Sequence, residues 1–549
     1  MKKKFWIIGV LIALLLVIVG CASEQKKSQE TSIKQPEKKD IQELTVTMSN
    51  ELATLDSALY SDVISSDAIG QIFEGLYRID QDNNAELGMA ESEPSVNDAK
   101  TVYTFKLKEA KWSNGEDVKA SDFVYAFQKV VDPATASPSA NQMDIFKNGA
   151  QIRVGEKELS DLGVKALDTK TIELTLETPI PYLAKMLTGT PFFPQNEILA
   201  KKLGEKYGTN SSNIVGNGPF ELTDWSGTNL NWTYQKNQTY WDQKNVQLKK
   251  INVEVAKETS TGANLFDGDQ VDYTGLTDEF IQKYQGANSY HEQPKALIGY
   301  LGFNTTRKVT GNVHVRRALA LAFDKKAYTE SILIDGSKPM NGFIPSDFAT
   351  NPANNEDFRK ENGSLMSYDV KKAQNEWKLA QAELGDTDLT LEILSSDTGS
   401  AKKTVEFLQA QYETNLPGLK IKLKNVPLKN RLDLNRSGDF DVFFGTWTPD
   451  YQDPINFLEI YQSNGGINFS NYHNNVYDEG LNEIKGELAT KPQERWTKMM
   501  QLEKQLIEQD APIAVIYQGA QAYLLSSKVK QLQVLPFGRT VSYRLTFVQ

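Results

Sequence analysis

This chain of 549 residues is short of cysteine, with one, and of histidine, with three. A lone Cys21 excludes any intramolecular disulfide. None of His291, His314 and His473 sits in an HExxH motif or at a spacing that pairs metal ligands along a helix. Clustered histidine and extra cysteine, which would point to a nickel or haem binder, are therefore missing. So are a GxSxG nucleophile elbow and a second cysteine able to attack a substrate. Gly216-Asn217-Gly218-Pro219 lacks the Lys-Ser/Thr of a phosphate loop, and Pro219 removes a backbone donor, so it reads as a tight turn. Acidic residues are plentiful, but a sequence does not show two of them converging as a glycosidase requires. The chain also lacks a basic excess, its formal net charge being −11, which disfavours nucleic acid as a partner. These absences point to a binding protein with no cofactor rather than an enzyme; a secreted hydrolase is the alternative of another class.

The one long apolar run is at the start. Lys2, Lys3 and Lys4 precede apolar residues from Phe5 to Val19, interrupted only by Gly9. Charges followed by a short apolar core are the pattern of a secretory signal. The run is about 15 residues long, against the ~20 that a membrane-crossing helix needs. It ends in Ile18-Val19-Gly20-Cys21, which resembles the lipobox of bacterial lipoproteins. That resemblance implies a signal peptide over 1–20, diacylglyceryl transfer to the Cys21 sulfur and cleavage before Cys21. The mature chain would carry a charge of about −14, still far from what a polyanion binder needs.

Residues 22–42, ASEQKKSQETSIKQPEKKDIQ, are polar and cannot bury enough surface to offset their ordering entropy. They read as a tether from the lipidated Cys21, holding the body roughly 25 Å from the membrane. Alternation of apolar and polar residues then begins at Leu44-Thr45-Val46-Thr47-Met48. Further strands are expected over 102–107, 171–176, 230–234, 251–255, 389–393, 421–426, 442–445 and 513–516. One helix is expected to start at Ala120-Ser121-Asp122-Phe123, with Ser121 as N-cap and Phe123, Ala126, Phe127 and Val130 on one face. Others are expected over 314–328 and 367–384. Strands and helices interleave without a short repeat, so the fold class is α/β and multidomain.

Several segments are more specific. Residues 104–133 read TFKLKEAKWSNGEDVKASDFVYAFQKVVDP. With 56–77 (DSALYSDVISSDAIGQIFEGLY), 216–225 (GNGPFELTDW), Tyr240-Trp241-Asp242, 299–304 (GYLGFN), 315–323 (VRRALALAF) and 439–454 (DFDVFFGTWTPDYQDP) they span nearly the whole mature chain. In this order they resemble extracellular solute-binding protein family 5, the oligopeptide-binding subunits of ABC importers. The resemblance implies a two-lobed periplasmic-binding-protein-like fold with a hinge and an extra inserted domain. Mapped here, 42–64, 189–292 and 518–549 would form the core of the first lobe, 65–188 its inserted domain, and 293–517 the second lobe.

A receptor for many peptides must read the backbone and the terminal ammonium, which all peptides share. By the resemblance, Glu51-Leu52-Ala53 and Gly445-Thr446-Trp447-Thr448 match the strands that line the cleft. Asp450, just beyond the second, matches the residue that takes the ammonium; read without the family, it could equally shape the turn between Pro449 and Pro454. Phe444 stands where enteric members carry an arginine that helps hold the carboxylate of short peptides, which suggests longer or more apolar ligands. Phe443 and Phe444 would point to opposite faces, so at most one would line the cleft. Trp112 and the Asn114-Gly115 turn read as structural. The implied partners are oligopeptides, the permease of an ABC transporter and, through Cys21, the outer face of a cell membrane of Gram-positive type, with the protein monomeric. A dedicated peptide-pheromone receptor is the alternative binding role.

Overall fold

A computed structural model describes residues 42–463 and 465–549. The signal peptide, Cys21 and nearly all of the tether lie outside the described residues. No helix among the described residues is long and apolar enough to cross a membrane.

Ten strands run in one line through an eleven-stranded sheet. In chain order they are β1 (Glu43–Met48), β2 (Phe220–Thr223), β3 (Asn231–Lys236), β4 (Lys250–Val255), β5 (Tyr273–Leu276), β6 (Tyr290–Phe303), β7 (Leu389–Ser396), β8 (Leu419–Val426), β9 (Val442–Trp447) and β10 (Ile513–Leu525). Their spatial order is β8-β7-β9-β6-β10-β5-β1-β4-β3-β2, and Lys338–Pro339 pairs with β10 off this line. The pairs β1–β4 and β7–β8 are parallel. Parallel neighbours need a crossover; the helix Gly399–Asn415 supplies it between β7 and β8. A separate four-stranded sheet and a hairpin (Tyr77–Ile79 with Ala85–Leu87) stand apart from the large sheet.

Two large apolar cores divide the strands of the sheet between them. One gathers residues from Leu44 to Tyr273 and from Tyr523 to Tyr543. The other gathers residues from Ala296 to Ile516. The long strands β6 and β10 carry the chain between them. Their antiparallel pairing shifts register between Pro294↔Ala520 and Ile298↔Gln518, so three residues of β6 bulge opposite Gly519. Such a bulge bends and twists the sheet where it occurs. Gln518 holds this point, donating to Lys295 O at 3.0 Å and Ser346 O at 3.1 Å. The glycines of 299–304 are explained by packing: a Cβ on Gly299 would overlap the Tyr517 ring, and one on Gly302 the Phe443 ring.

The helix Ala120–Val131 buries Phe123, Ala126, Phe127 and Val130 as its periodicity required. Its N-cap, however, is Lys119 rather than Ser121. The helix starts at Ala120, so the Asp122 carboxylate reaches back to accept from Lys119 N at 2.9 Å. Asp122 Oδ2 also accepts from Trp112 Nε1 at 3.0 Å, which fixes the fully buried indole. The helix expected over 314–328 is two, Val313–Leu321 and Lys325–Tyr328, because Asp324 caps a new start by accepting from Lys326 N and Ala327 N. Residues 216–219 pack more than they turn, since a Cβ on Gly216 or Gly218 would meet the backbone of Ile72.

Candidate functional site

Three cavities lie in sequence along the protein. The largest, about 730 Å³, is walled by the chain leaving β1, including Ser49, Glu51 and Ala53, and by residues 256–259 and 274–277. A second, about 380 Å³, shares Ser61, Asp62 and Val63 with it. A third, about 350 Å³, shares Asn141, Gln142, Asp450 and Tyr451 with the second. Asp450 therefore sits at a junction.

Residues 51–53 belong to no strand, which departs from their expected place in a lining strand. β1 ends at Met48, where its partner β4 ends at Val255. The chain beyond alternates in burial, with Leu52 inside and Glu51 and Ala53 outside. Glu51 forms an ion pair with Lys257, which holds its carboxyl below the ordinary range.

Gly445, Thr446 and Trp447 end β9, and Thr448 follows it. None of these four lines the three cavities. Their backbone is nevertheless open on one side. Phe303 N donates to Pro512 O, toward β10. Alternation along the strand then directs the main-chain groups of Phe443, Gly445 and Trp447 at β6, and those of Phe444 and Thr446 at the other edge. There β7 accompanies β9 only at Val442 and Phe443. Arg431 Nη1 takes the Phe444 carbonyl at 2.8 Å, and Thr446 has no strand beside it. Phe443 and Phe444 are both buried in the second core, so neither is available to a ligand.

The loop after β9 is tied down by side chains. Asp450 N donates to Asn456 Oδ1 at 3.0 Å. Arg495 clasps Asp453 through two hydrogen bonds, at 2.9 and 2.7 Å, and lies 5.3 Å from the centre of the Tyr182 ring. Tyr451 OH donates to Glu459 Oε1 at 2.6 Å. Among the described residues, the Asp450 carboxylate has no cationic partner. It keeps an open face, yet enclosure by the cavity walls pushes its pKa up. The nearby Glu459 adds to the rise, and Asn456 opposes it by hydrogen bonding.

Sequence reasoning missed several residues of this region. Tyr182, Lys185 and Arg539 reach it from distant parts of the chain and carry no motif. No group of three or more His, Cys, Asp or Glu among the described residues could hold a metal ion.

Two cores joined by shared strands, with linked cavities meeting at a carboxylate that has no cationic partner among the described residues, define a two-lobed ligand-binding protein. The model of the bacterial extracellular solute-binding proteins, family 5, matches residues 84–469, and the chain belongs to that family. It is 32% identical to the dipeptide-binding protein of Lactococcus lactis subsp. cremoris (strain MG1363), covering 87% of this chain and 88% of that one. Among solved structures it is similar to Listeria monocytogenes OppA bound to peptide, at 42% identity and a TM-score of 0.75, covering 92% of this chain and 99% of that one. It is also similar to the pheromone receptor PrgZ, at 34% identity and the same TM-score, covering 92% and 99%.

Proposed function

We propose that this protein captures oligopeptides between its lobes and delivers them to the permease of an ABC importer. The observation that carries the reading is Asp450, a carboxylate without a counter-ion where two cavities meet. A peptide ammonium is the complement it lacks. The open edge of β9 at Thr446 offers main-chain hydrogen bonds to an added strand, as sequence-tolerant peptide recognition requires. Glu51 and Ala53, on the wall of the largest cavity, would meet the ligand from the other lobe. The separation of the two cores supports 293–517 as the second lobe, with the remainder of the folded chain in the first. Ligand bridging the lobes favours the closed state, and a permease can discriminate closed from open.

The protein is held at the membrane through lipid on Cys21 and works as a monomer, with no catalytic step. Two acyl chains hold a protein stably where one would not. Cys21→Ser should release it into the medium with peptide affinity unchanged.

Asp450→Ala should weaken binding of a free-amino peptide by about 2–5 kcal/mol, as for truncating one member of a buried charge pair. Calorimetry with an N-acetylated peptide is the matched control. If acetylation leaves affinity to the original protein unchanged, Asp450 does not hold the ammonium. Similarity to a pheromone receptor favours a second reading, a receptor for one signalling peptide. Competition between that class of hydrophobic peptide and a random pool separates the two.

A further inference from the structure

The cavity of about 380 Å³ contains cations that the peptide reading leaves unused. Arg539 and Lys185 both line it, as does Asp450. Among the described residues neither cation forms an ion pair. Arg539 comes from the C-terminal segment and crosses α1 (Val63–Ile72) at Gly70, where a Cβ would overlap its Nη1 and Cδ. Its Nη1 donates to Gly70 O at 3.2 Å, and its guanidinium lies 6.0 Å from the Phe193 ring centre. A guanidinium has five N–H donors. The bond to Gly70 is the one that its guanidinium makes among the described residues, and Arg539 lines both this cavity and a smaller one beside Gly70 and Phe193. Lys185, on the helix Leu183–Met186, is partly buried and uses its ammonium on no protein acceptor.

Among the described residues, no acid near these cations forms an ion pair with them. Asp67 is close enough to influence Arg539; its Oδ1 accepts from the Thr540 and Val541 amides, while its Oδ2 is buried without a hydrogen-bond partner. Asp62 caps α1 by accepting from Ser65 N at 2.8 Å. Asp453, nearest in charge to Lys185, is held by Arg495. Tyr60, on the same wall, feels both poles of the cavity: Asp450 raises its phenol pKa and Arg539 lowers it, though burial is the main cause of its upward shift. One small chamber thus presents two carboxylates, Asp450 and Asp62, and two cations that form no ion pair among the described residues. At the lower end of ligand-pocket sizes (~300–1,000 Å³), it suits the first residues of a ligand rather than a whole peptide.

We infer that Arg539 and Lys185 form a carboxylate subsite beside Asp450, selecting peptides that carry a carboxylate within one or two residues of their amino terminus. This rests on Asp450 as the ammonium site. The carboxylate can be an acidic side chain on the first or second residue, or the C-terminus of a dipeptide; both present the same chemistry to a guanidinium. Planar, charge-assisted pairing gives Arg539 the larger share.

Calorimetry with matched peptides tests it: pentapeptides with Glu or Gln at position one or two, and Ala-Ala as free acid or amide. The original protein should prefer the carboxylate member of at least one pair by about tenfold, and the pair showing it identifies the source. Arg539→Gln should bring that ratio close to one while the neutral peptide binds within about twofold of before. Lys185→Gln, on a short helix at the cavity wall, should lower the ratio in part. Asp450→Asn should weaken both members of each pair and keep the ratio. No preference in any pair, or a preference that survives the Arg539→Gln/Lys185→Gln double variant, overturns the subsite while leaving the peptide reading intact. If none of these peptides binds, the peptide reading fails and the subsite with it.

Discussion

Tyr182 and Tyr451 stack face to face, ring centres 4.7 Å apart and planes 3° from parallel. Both rings pack against both apolar cores, so this contact bridges the two halves of the molecule. If it forms only on closure, Tyr182→Ala should raise the Kd for peptide about three- to tenfold, as expected for an aromatic pair worth ~0.5–1.5 kcal/mol. Small-angle scattering should show the unliganded variant more extended. Unchanged affinity and dimensions would mean that the stack contributes nothing to closure.

Affinity should fall in acid. The proposed ammonium site needs the Asp450 carboxylate ionised, and enclosure by the cavity walls holds its pKa above the ordinary 3.8. A bound ammonium lowers that pKa, so binding is complete above the raised value and is lost as pH falls through it. Calorimetry between about pH 7 and pH 4 should show weakening that begins above the ordinary aspartate range and is absent in Asp450→Asn.

The open edge of β9 is tested by removing a donor. Thr446→Pro deletes one amide at an edge position that tolerates proline, and should weaken peptide binding by about 0.5–1.5 kcal/mol. Thr446→Val keeps the amide and should bind as before. Thermal melting of both variants separates a lost contact from a damaged strand.

Lys325 should leave a signature in stability. Its ammonium is buried, donating to Met340 O at 3.0 Å and Met366 O at 2.7 Å, and burial lowers its pKa to about 7. Between that value and the ordinary 10.5 the unfolded chain binds the extra proton. Stability attributable to this group therefore rises with pH across the window, by at most ~1.4 kcal/mol per unit. Denaturant titrations from about pH 7 to 9 should show a shallower rise in Lys325→Met.

Trp112→Ala should cost about 3–5 kcal/mol of stability, as for emptying an aromatic site in a core. It should leave peptide affinity unaltered in protein that remains folded, because the indole is fully buried and bound to Asp122.

Local pattern carried much of this fold into the sequence. β1, β4 and β8 alternate or run apolar where strands were expected, and Phe123, Ala126, Phe127 and Val130 face inward. The fourteen-residue β6 is legible only as a short family segment, because Pro294 and two glycines break its pattern; cross-strand packing against Tyr517 and Phe443 explains both glycines. At the site, Asp450 was legible only through the family motif. Arg539, Lys185 and Tyr182 were not, since their roles depend on three remote stretches of chain meeting across cavities. Residues 51–53 were assigned to a strand that ends before them, because the sheet partners that stop there are not visible in the local pattern.

The open edge at Thr446 has an ecological consequence. Main-chain groups cannot tell one amino acid from another, so a receptor using them samples the peptides around a cell in proportion to their abundance. In the proposed reading, preference then falls to the few charged groups around Asp450, and a change at one or two of those positions redirects which peptides are taken without rebuilding the protein.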